Sequence, residues 1–254
     1  MRVALLMSGQ IRNAKQCFPS LDKFILQKYS PDVFVETWYP GSGIKSWSAG
    51  TPTDSLTVDE LVSLFNPKSI SIEDFHGEIS SKIQSLTEKI PINGNIPKNV
   101  YSMHYKLYKC FQLLSGYCQY DKNYYDHIIR LRFDLEFSSF PILEELNNEE
   151  IHIPQGWDWF SGTNDLMAIG NYKNIKKYCE LYLKFFDYVR LGISTHPETL
   201  LRTHLELEGI DVSRFFLNYN LGTAKRNLNE EVVTDPLFYI PAHEILRRAL
   251  HTRN

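Results

Sequence analysis

The sequence predicts a single α/β domain with a mixed sheet flanked by helices, and three observations favour this fold class. Short apolar runs of strand length alternate along the chain with longer amphipathic segments. The first two apolar runs are separated by about 20 residues, a spacing that suits a parallel β-α-β unit. The 254 residues are 43% hydrophobic, which is ordinary for a globular chain and enough for one substantial core.

Four strands and three helices are expected in the first half of the chain. The first strand, RVALLMSG (2–9), is a continuous apolar run that ends in a Ser-Gly turn, as is typical of a buried strand entering a loop. The other strands are expected at 32–38, 68–75 and 127–137. Helices are expected at 17–29, at 57–66 with a Thr cap, and at 102–121 with a Ser cap. Residues 39–55 and 76–100 predict loops, with about one helical turn in the second.

The second half is expected to be richer in loops and more antiparallel. Strands are expected at 149–154, at 165–171 and within 214–227. Helices are expected at 141–147, 174–192, 196–209 and 242–250. No internal repeat or clean linker divides the chain, so residues 1–254 are expected to form one domain.

The fourth strand, HIIRLRFDLEF, carries four charges that alternate with apolar residues. A period of two places Arg130, Arg132, Asp134 and Glu136 on one face, at the carboxyl end where open α/β sheets bind ligands. Two carboxylates two residues apart suit Mn²⁺ or Mg²⁺, and the arginines suit phosphate groups directly. The alternative is an exposed strand whose charges form surface ion pairs of little energetic value.

Other candidate ligand-binding residues follow the first two strands or lie on the long helix. They are Ser8, Gly9, Gln10, Arg12, Thr37, Trp38, Tyr105 and Lys109. Hydroxyl, amide and guanidinium groups at the carboxyl ends of strands suit a nucleotide or a phosphate. Each also has an ordinary explanation: turn chemistry in the first loop, a core position for the Trp, and solvation for the lysine.

Two carboxylates in the second half are candidate catalytic residues. Asp165 follows the aromatic loop GWDWFSGTND, where rings could stack on a sugar and a carboxylate could act as a general base. Glu198 opens a helix at His-Pro-Glu and is the second choice. An Asx turn at Asp165 and a favourable helix-dipole position at Glu198 are the competing explanations.

Composition and missing motifs exclude several classes of function. A net charge of −3 and a pI near 6.2 do not indicate a basic surface for binding nucleic acid. The apolar run Val3–Met7 is too short for a signal peptide, no later run could span a membrane, and the four cysteines form no C-x-x-C pair. A cytoplasmic location with reduced, buried thiols is therefore expected. The Rossmann, P-loop, nucleophile-elbow and H-E-x-x-H signatures are all missing.

Six segments in a fixed order resemble a known group of enzymes. They are SGQIRN, DVFVETW, HYKLYKC, IIRLRFDLEF, GTNDLMAIGN and HPETLLRTHL, over roughly residues 2–207. The combination resembles small glycosyltransferases of bacterial surface-polysaccharide clusters and large viruses, of the chlorella-virus rhamnosyltransferase domain type. The resemblance implies a GT-A fold, with a nucleotide-sugar-binding half at about 1–138 and an acceptor-binding half with a C-terminal tail at about 139–254.

The resemblance also implies a reaction and its participants. A sugar would move from a nucleotide-diphosphate donor, with a UDP-sugar favoured, to a hydroxyl of a glycan such as a surface polysaccharide, lipopolysaccharide or viral glycan. Mn²⁺ or Mg²⁺ commonly takes part. Asp134 and Glu136 stand where GT-A enzymes keep an Asp-x-Asp metal site, but the Asp-x-Glu form departs from it, and the arginines are an alternative way to hold the diphosphate.

Two questions of role stay open at the level of sequence. In an inverting enzyme Asp165 would be the base, whereas in a retaining enzyme the same carboxylate would position the acceptor. A non-catalytic nucleotide-sugar or polysaccharide-binding protein of the same fold is the main alternative. A glycoside hydrolase also needs two carboxylates, but the arginines beside Asp134 and Glu136 would keep both ionised.

Overall fold

A computed structural model describes residues 1–39, 56–75, 77–89, 98–119 and 124–221. One seven-stranded mixed sheet, with helices packed on both faces, includes strands from both halves of the chain. The predicted α/β class, with a mixed sheet flanked by helices, is therefore confirmed, and the described residues form a single domain. The helix expected at 242–250 and all but the first residue of the loop expected at 39–55 lie outside the described residues.

The strands alternate with helices in the first half and become more closely spaced in the second. The strands are β1 (Val3–Gly9), β2 (Asp32–Trp38), β3 (Ser69–Glu73), β4 (His127–Leu131), β5 (Leu135–Phe137), β6 (Ile151–Pro154), β7 (Met167–Gly170), β8 (Val212–Phe215) and β9 (Tyr219–Leu221). The order in the main sheet is β3-β2-β1-β4-β7-β6-β8, and β5 pairs with β9 in a separate two-stranded sheet.

Strand direction divides the main sheet as the sequence predicts. The first four strands are mutually parallel, because each connection between them crosses over with a helix. Strand β7 runs antiparallel to both of its neighbours, β4 and β6, and β6 pairs with β8 in parallel. The carboxyl ends of β1 and β4 therefore meet the start of β7 at one edge of the sheet.

The helices divide between the two faces of this sheet. They are α1 (Ala14–Leu21), α2 (Gln27–Tyr29), α3 (Val58–Phe65), α4 (Glu78–Lys89), α5 (Lys98–Tyr117), α6 (Tyr172–Cys179), α7 (Leu181–Arg190) and α8 (Pro197–Leu207). A π-helical turn (Asp22–Leu26) joins α1 to α2. Residues of α5 to α8 share one hydrophobic core with Ala4 and Leu6, whereas residues of α1 and α3 share the other with Leu5 and Met7. Successive side chains of β1 point to opposite faces of the sheet and therefore belong alternately to the two cores.

Several helix predictions need correction. Helix α4 occupies 12 residues in a segment expected to be mostly loop, and α5 begins at Lys98, so that Ser102 lies inside the helix instead of capping it. The helix expected at 174–192 is broken at Glu180 into α6 and α7. The capping box that joins Thr57 and Glu60 confirms the predicted start of α3.

The prediction of one long charged strand at 127–137 is wrong. Strand β4 ends at Leu131, whose partner Met167 is the first residue of β7, and the chain turns at Phe133 and Asp134 before it forms β5. The four charges are consequently not on one face. On the β7 side the neighbouring strand stops at Met167, and no pairing with β1 extends beyond Leu131, so the ladder that would keep the alternation regular is missing there.

Candidate functional site

Five of the predicted site residues come close together at the carboxyl ends of β1 and β4. We call this group the arginine–carboxylate cluster, and it consists of Arg12, Arg132, Asp134, Asp165 and Glu198. Arg12 comes from the loop after β1, and the next two come from the turn after β4. Asp165 precedes β7, and Glu198 lies in the first turn of α8. Four separate stretches of sequence therefore converge on one place.

A bidentate ion pair lies at the centre of the cluster. Arg132 donates from Nε to Asp134 Oδ1 at 2.9 Å and from Nη2 to Oδ2 at 2.7 Å. The Asp134 side chain is only 3% exposed, whereas that of Arg132 is 22% exposed. The charges of Asp134, Asp165 and Glu198 raise the pKa of Arg132 against the opposing effect of its burial. The guanidinium therefore stays charged and fixed in orientation.

The loop before β7 is held in place by Asn164. This fully buried side chain donates to Gly156 O at 2.8 Å and to the Tyr219 hydroxyl at 2.5 Å, and it accepts from the amide of Leu166. Its own amide donates to Asp158, which in turn pairs with Arg214. All of these contacts fix the residue next to Asp165, so the carboxylate is positioned by a satisfied polar network.

Backbone geometry in the same loop is unusual. Trp157, Phe160 and Ser161 all have positive φ angles, between 51° and 58°, which bulky residues rarely adopt. Such strain persists only where the surroundings enforce it, and it is concentrated at functional sites. The strained segment carries the aromatic residues that were predicted to contact a sugar.

Gly162 allows the loop to approach the start of α8. A Cβ at this position would lie 2.3 Å from the carbonyl carbon of Glu198, so any side chain would push the two segments apart. The amide of Thr163 donates to Glu198 O at 2.9 Å, and the Thr199 hydroxyl donates to Phe160 O at 3.2 Å. This contact places Glu198 beside Asp165.

Asp165 and Glu198 form an electrostatically linked carboxylate pair. Burial raises the pKa of Glu198, and the negative charge of Asp165 raises it further, whereas His196 lowers it. His196 Nδ1 lies 3.0 Å from Glu198 Oε2, and its ring contacts that of Phe160 with centroids 4.3 Å apart. A carboxyl group whose pKa is raised by its surroundings is suited to proton transfer near neutral pH.

Replacing Glu198 with Gln is expected to make the protein more stable at pH 8. Because the pKa of Glu198 is raised in the folded state above its ordinary value of 4.5, the wild type loses stability as pH rises above that value. The variant lacks this loss, so its advantage should grow from pH 4.5 to pH 8. Chemical unfolding of both proteins across this range measures the difference. An advantage that shrinks as pH rises would contradict the prediction.

Arg130 lies beneath the cluster and supports it from inside. Only 1% of the residue is exposed, and its Nη1 donates to the backbone oxygen of Asp165. Its guanidinium also lies over the ring of Tyr178, 5.9 Å from the centroid. The sequence predicts that Arg130 contacts a phosphate, but in this structure it is sealed from solvent. Its observed contacts make it a support for the backbone of Asp165.

The other predicted ligand-binding residues lie elsewhere or face inward. Ser8 is buried, the Thr37 hydroxyl donates to Gly9 O at 2.7 Å, and Trp38 stacks on Tyr105 with centroids 6.1 Å apart. Gly9 has a φ of 109°, which favours glycine, and Gln10 accepts from the Nε of Arg12. The ligand-binding roles of these residues stay predictions.

A second charged cluster, which the sequence did not single out, surrounds Lys106. The Nζ atom of this fully buried lysine lies 2.6 Å from Glu36 Oε1 and 2.7 Å from Glu73 Oε2. It also lies 3.8 Å from the centroid of Trp38. We call these three charged residues the buried lysine cluster. Tyr105 donates to Glu73 at 3.1 Å and Lys109 lies 3.8 Å from it, so both predicted residues belong to its surroundings.

The predicted metal ligands do not form a pair that fits a divalent cation. Both carboxylate oxygens of Asp134 accept hydrogen bonds from Arg132. Glu136 is exposed on β5, which belongs to the separate small sheet. Within the described ranges, no group of three or more His, Cys, Asp or Glu side chains is arranged to hold a metal ion. A hard cation needs several free oxygen ligands, and this arrangement does not provide them.

Comparison with known proteins adds no family assignment. No protein-family model matches the sequence, and no curated protein matches it at a significant level. Among the residues that the structure describes, none of the helices has the length and apolar character needed to cross a membrane. All four cysteines are buried, as predicted.

Proposed function

We propose that this chain is a glycosyltransferase of the GT-A type, which moves a sugar from a nucleotide-diphosphate donor to a hydroxyl of a glycan. The observation that carries the proposal is the arginine–carboxylate cluster at the carboxyl edge of the sheet. Two arginines that can attract a diphosphate lie beside a carboxylate pair that can accept a proton. Sugar transfer with inversion from such a donor needs both chemistries in one site.

The fold is compatible with this proposal. Its first four strands form a parallel α/β half, and the carboxyl ends of such strands are where ligands bind. The strained aromatic loop and the start of α8 come from the second half of the chain and border the same place. Donor and acceptor would therefore approach from the two halves, as the resemblance implies.

The proposed reaction assigns a role to each side of the cluster. The acceptor oxygen forms a bond to the anomeric carbon of the donor, and the bond from that carbon to the diphosphate breaks with its electron pair on the diphosphate. Arg12 and Arg132 stabilise the charge of the leaving group. In an inverting reaction Asp165 takes the proton of the acceptor hydroxyl, and Glu198 is the alternative base. In a retaining reaction the same carboxylates position the acceptor.

A melting-temperature panel tests the donor. We expect one class of nucleotide-diphosphate sugar among UDP-, GDP- and dTDP-sugars to raise the melting temperature in a concentration-dependent way, and CMP-sugars, which carry only one phosphate, complete the panel as a comparison. A ligand at about 100 times its Kd adds about 2.7 kcal/mol of stability, which for a chain of this size is several degrees. No response to any member of the panel, with or without Mn²⁺, would refute the proposed donor.

A glycoside hydrolase is the second candidate, because one observation favours it. Asp165 and Glu198 are two linked carboxyl groups, and the pKa of Glu198 is raised, which is a property of the general acid in such enzymes. The neighbouring arginines have no role in glycoside hydrolysis, which is why transfer is preferred. Release of sugar from an oligosaccharide without any nucleotide would favour the hydrolase.

A further inference from the structure

We propose that Arg12 and Arg132 bind the diphosphate of the donor directly, without a divalent cation. This inference rests on the proposed function and deepens it. The resemblance implies Mn²⁺ or Mg²⁺ at Asp134 and Glu136, but those two residues do not fit a cation. Four observations carry the inference: the donors left on each arginine, the closeness of their charges, the geometry of the loop after β1, and the engagement of Asp134.

The first observation is the set of hydrogen-bond donors on Arg132. A guanidinium has five N–H groups in one plane, and two of them, on Nε and Nη2, are used by Asp134. Three remain on Nη1 and Nη2, which together form a second forked edge. Because Asp134 fixes the plane of the group, this edge is already oriented before an anion arrives.

Arg12 provides a second guanidinium close to the first. Its Nε donates to Gln10 Oε1 at 2.7 Å, which leaves its two terminal nitrogens with four N–H groups. Burial lowers the pKa of Arg12, and the charge of Arg132 lowers it further, while Asp134 opposes this effect. The two guanidinium groups therefore repel each other across Asp134, and an anion bound between them would relieve that repulsion on the side of Arg132 that faces away from Asp134.

The loop that carries Arg12 gives an anion room to approach. Gly9 has a positive φ, and the space where its side chain would lie has no neighbouring atom within 4 Å. Helix α1 begins two residues after Arg12, with the sequence Ala-Lys-Gln-Cys and no acidic residue in its first turn. The positive end of the helix dipole adds a favourable field for a negative group at the same end of β1.

Asp134 is better explained as a support for Arg132 than as a metal ligand. Its side chain is 3% exposed and both of its oxygens are engaged, so a cation could bind only by breaking the ion pair. That exchange would leave Arg132 without its partner beside the new positive charge. If the diphosphate binds to the second edge of Arg132, the ion pair with Asp134 stays intact and Arg132 has no cation beside it.

The test measures binding of UDP, GDP, dTDP and inorganic pyrophosphate to the metal-stripped full chain by calorimetry. Each ligand is titrated once in EDTA and once in MnCl₂. We expect at least one diphosphate to bind in EDTA, with a Kd that Mn²⁺ changes by less than about threefold. A charge-assisted hydrogen bond contributes about 1.5–3 kcal/mol, so Arg12→Met should weaken binding by about tenfold to a hundredfold.

Three further variants make the test specific. Arg12→Met leaves the Arg132–Asp134 pair intact, so it should fold even where Arg132→Met does not. Arg132→Lys keeps the charge but removes the fork, and it should also weaken binding. Glu136→Gln should not change binding if no cation is held there. Lys176→Met is the matched control for loss of positive charge, because Lys176 is 51% exposed on α6 and its ion pair is with Glu180, away from the carboxyl ends of β1 and β4.

The outcomes separate this inference from the proposed function. Binding or sugar transfer that requires Mn²⁺, or that Glu136→Gln abolishes, would overturn the inference and leave the glycosyltransferase proposal standing. Pyrophosphate binding in EDTA that depends on Arg12, without transfer from any donor, would support the anion site and count against the transferase. Absence of binding by every diphosphate in both buffers would overturn both.

Discussion

Replacing Asp165 with Asn is expected to abolish sugar transfer and to leave donor binding nearly unchanged. The amide has almost the shape of the carboxylate but cannot accept the proton of the acceptor hydroxyl. Loss of a general base typically costs about 10²- to 10⁴-fold in rate. Arg130 contacts the backbone oxygen of Asp165, not its side chain, so the local fold should survive the substitution.

The experiment compares the transfer rate and the donor Kd of Asp165→Asn with those of the wild type. Asp187→Asn is the matched control, because Asp187 is 61% exposed on α7 and pairs only with Arg190 at the surface. The control should match the wild type in both measurements. Unchanged transfer in Asp165→Asn would remove it as the base and direct attention to Glu198.

The same variant separates an enzyme from a binding protein of the same fold. A non-catalytic protein would bind the donor in wild type and variant alike and would transfer sugar in neither. An inverting enzyme would lose transfer in the variant alone. Transfer that falls together with acceptor affinity would instead fit a retaining enzyme in which the carboxylate positions the acceptor.

Much of the fold was predictable because its central strands carry strong local signals. Strands β1 and β2 are largely apolar along their whole length, and this pattern alone favours a sheet covered on both faces. Residues of both strands are indeed found in both cores. The end of β4 was not predictable. The alternation in RLRFDLEF continues in the sequence, but β7 begins only at Met167, opposite Leu131, and the extent of a strand elsewhere in the chain cannot be deduced from the local sequence.

The candidate site was predictable residue by residue but not as an arrangement. Asp165 and Glu198 were singled out separately, and their closeness depends on a contact in which Gly162 packs against the first turn of α8. Arg130 was misjudged because it shares its strand with Arg132. Arg130 lies within the ladder and faces a core, whereas Arg132 follows the last pair and remains partly exposed.

One member of the buried lysine cluster could be recognised from the sequence alone. Glu36 is a charged residue inside the apolar strand DVFVETW, and a charge in such a place requires a partner. The partner, Lys106, is 70 residues away, and one sequence gives no means of pairing the two. The sequence therefore indicates that Glu36 needs a cationic partner, but it does not identify Lys106 as that partner.

Replacing Lys106 with Met is expected to destabilise the protein by about 3–5 kcal/mol, the usual effect of removing one partner from a buried ion pair. Glu36 is fully buried, so loss of Lys106 leaves a buried carboxylate without its cationic partner. Met preserves most of the packing against Trp38, and the measured loss should therefore report mainly the charge.

The pH dependence of this variant provides a sharper test. Burial raises the pKa of Glu36, and the hydrogen bond and charge of Lys106 oppose that rise. Without Lys106 the folded-state pKa should rise further above its ordinary value of 4.5, so the variant loses additional stability as pH increases. Its deficit relative to the wild type should be small near pH 4.5 and large at pH 8.

Two comparisons assign the effect to the buried charge. Lys109→Met removes a cation from the same helix, but Lys109 is 35% exposed and 3.8 Å from Glu73, so its loss should cost less than about 1 kcal/mol. The double variant Lys106→Met with Glu36→Gln should recover part of the lost stability, because the amide carries no charge. If Lys106→Met were as stable as Lys109→Met at pH 8, the ion pairs of Lys106 would not be what stabilises the ends of β2 and β3.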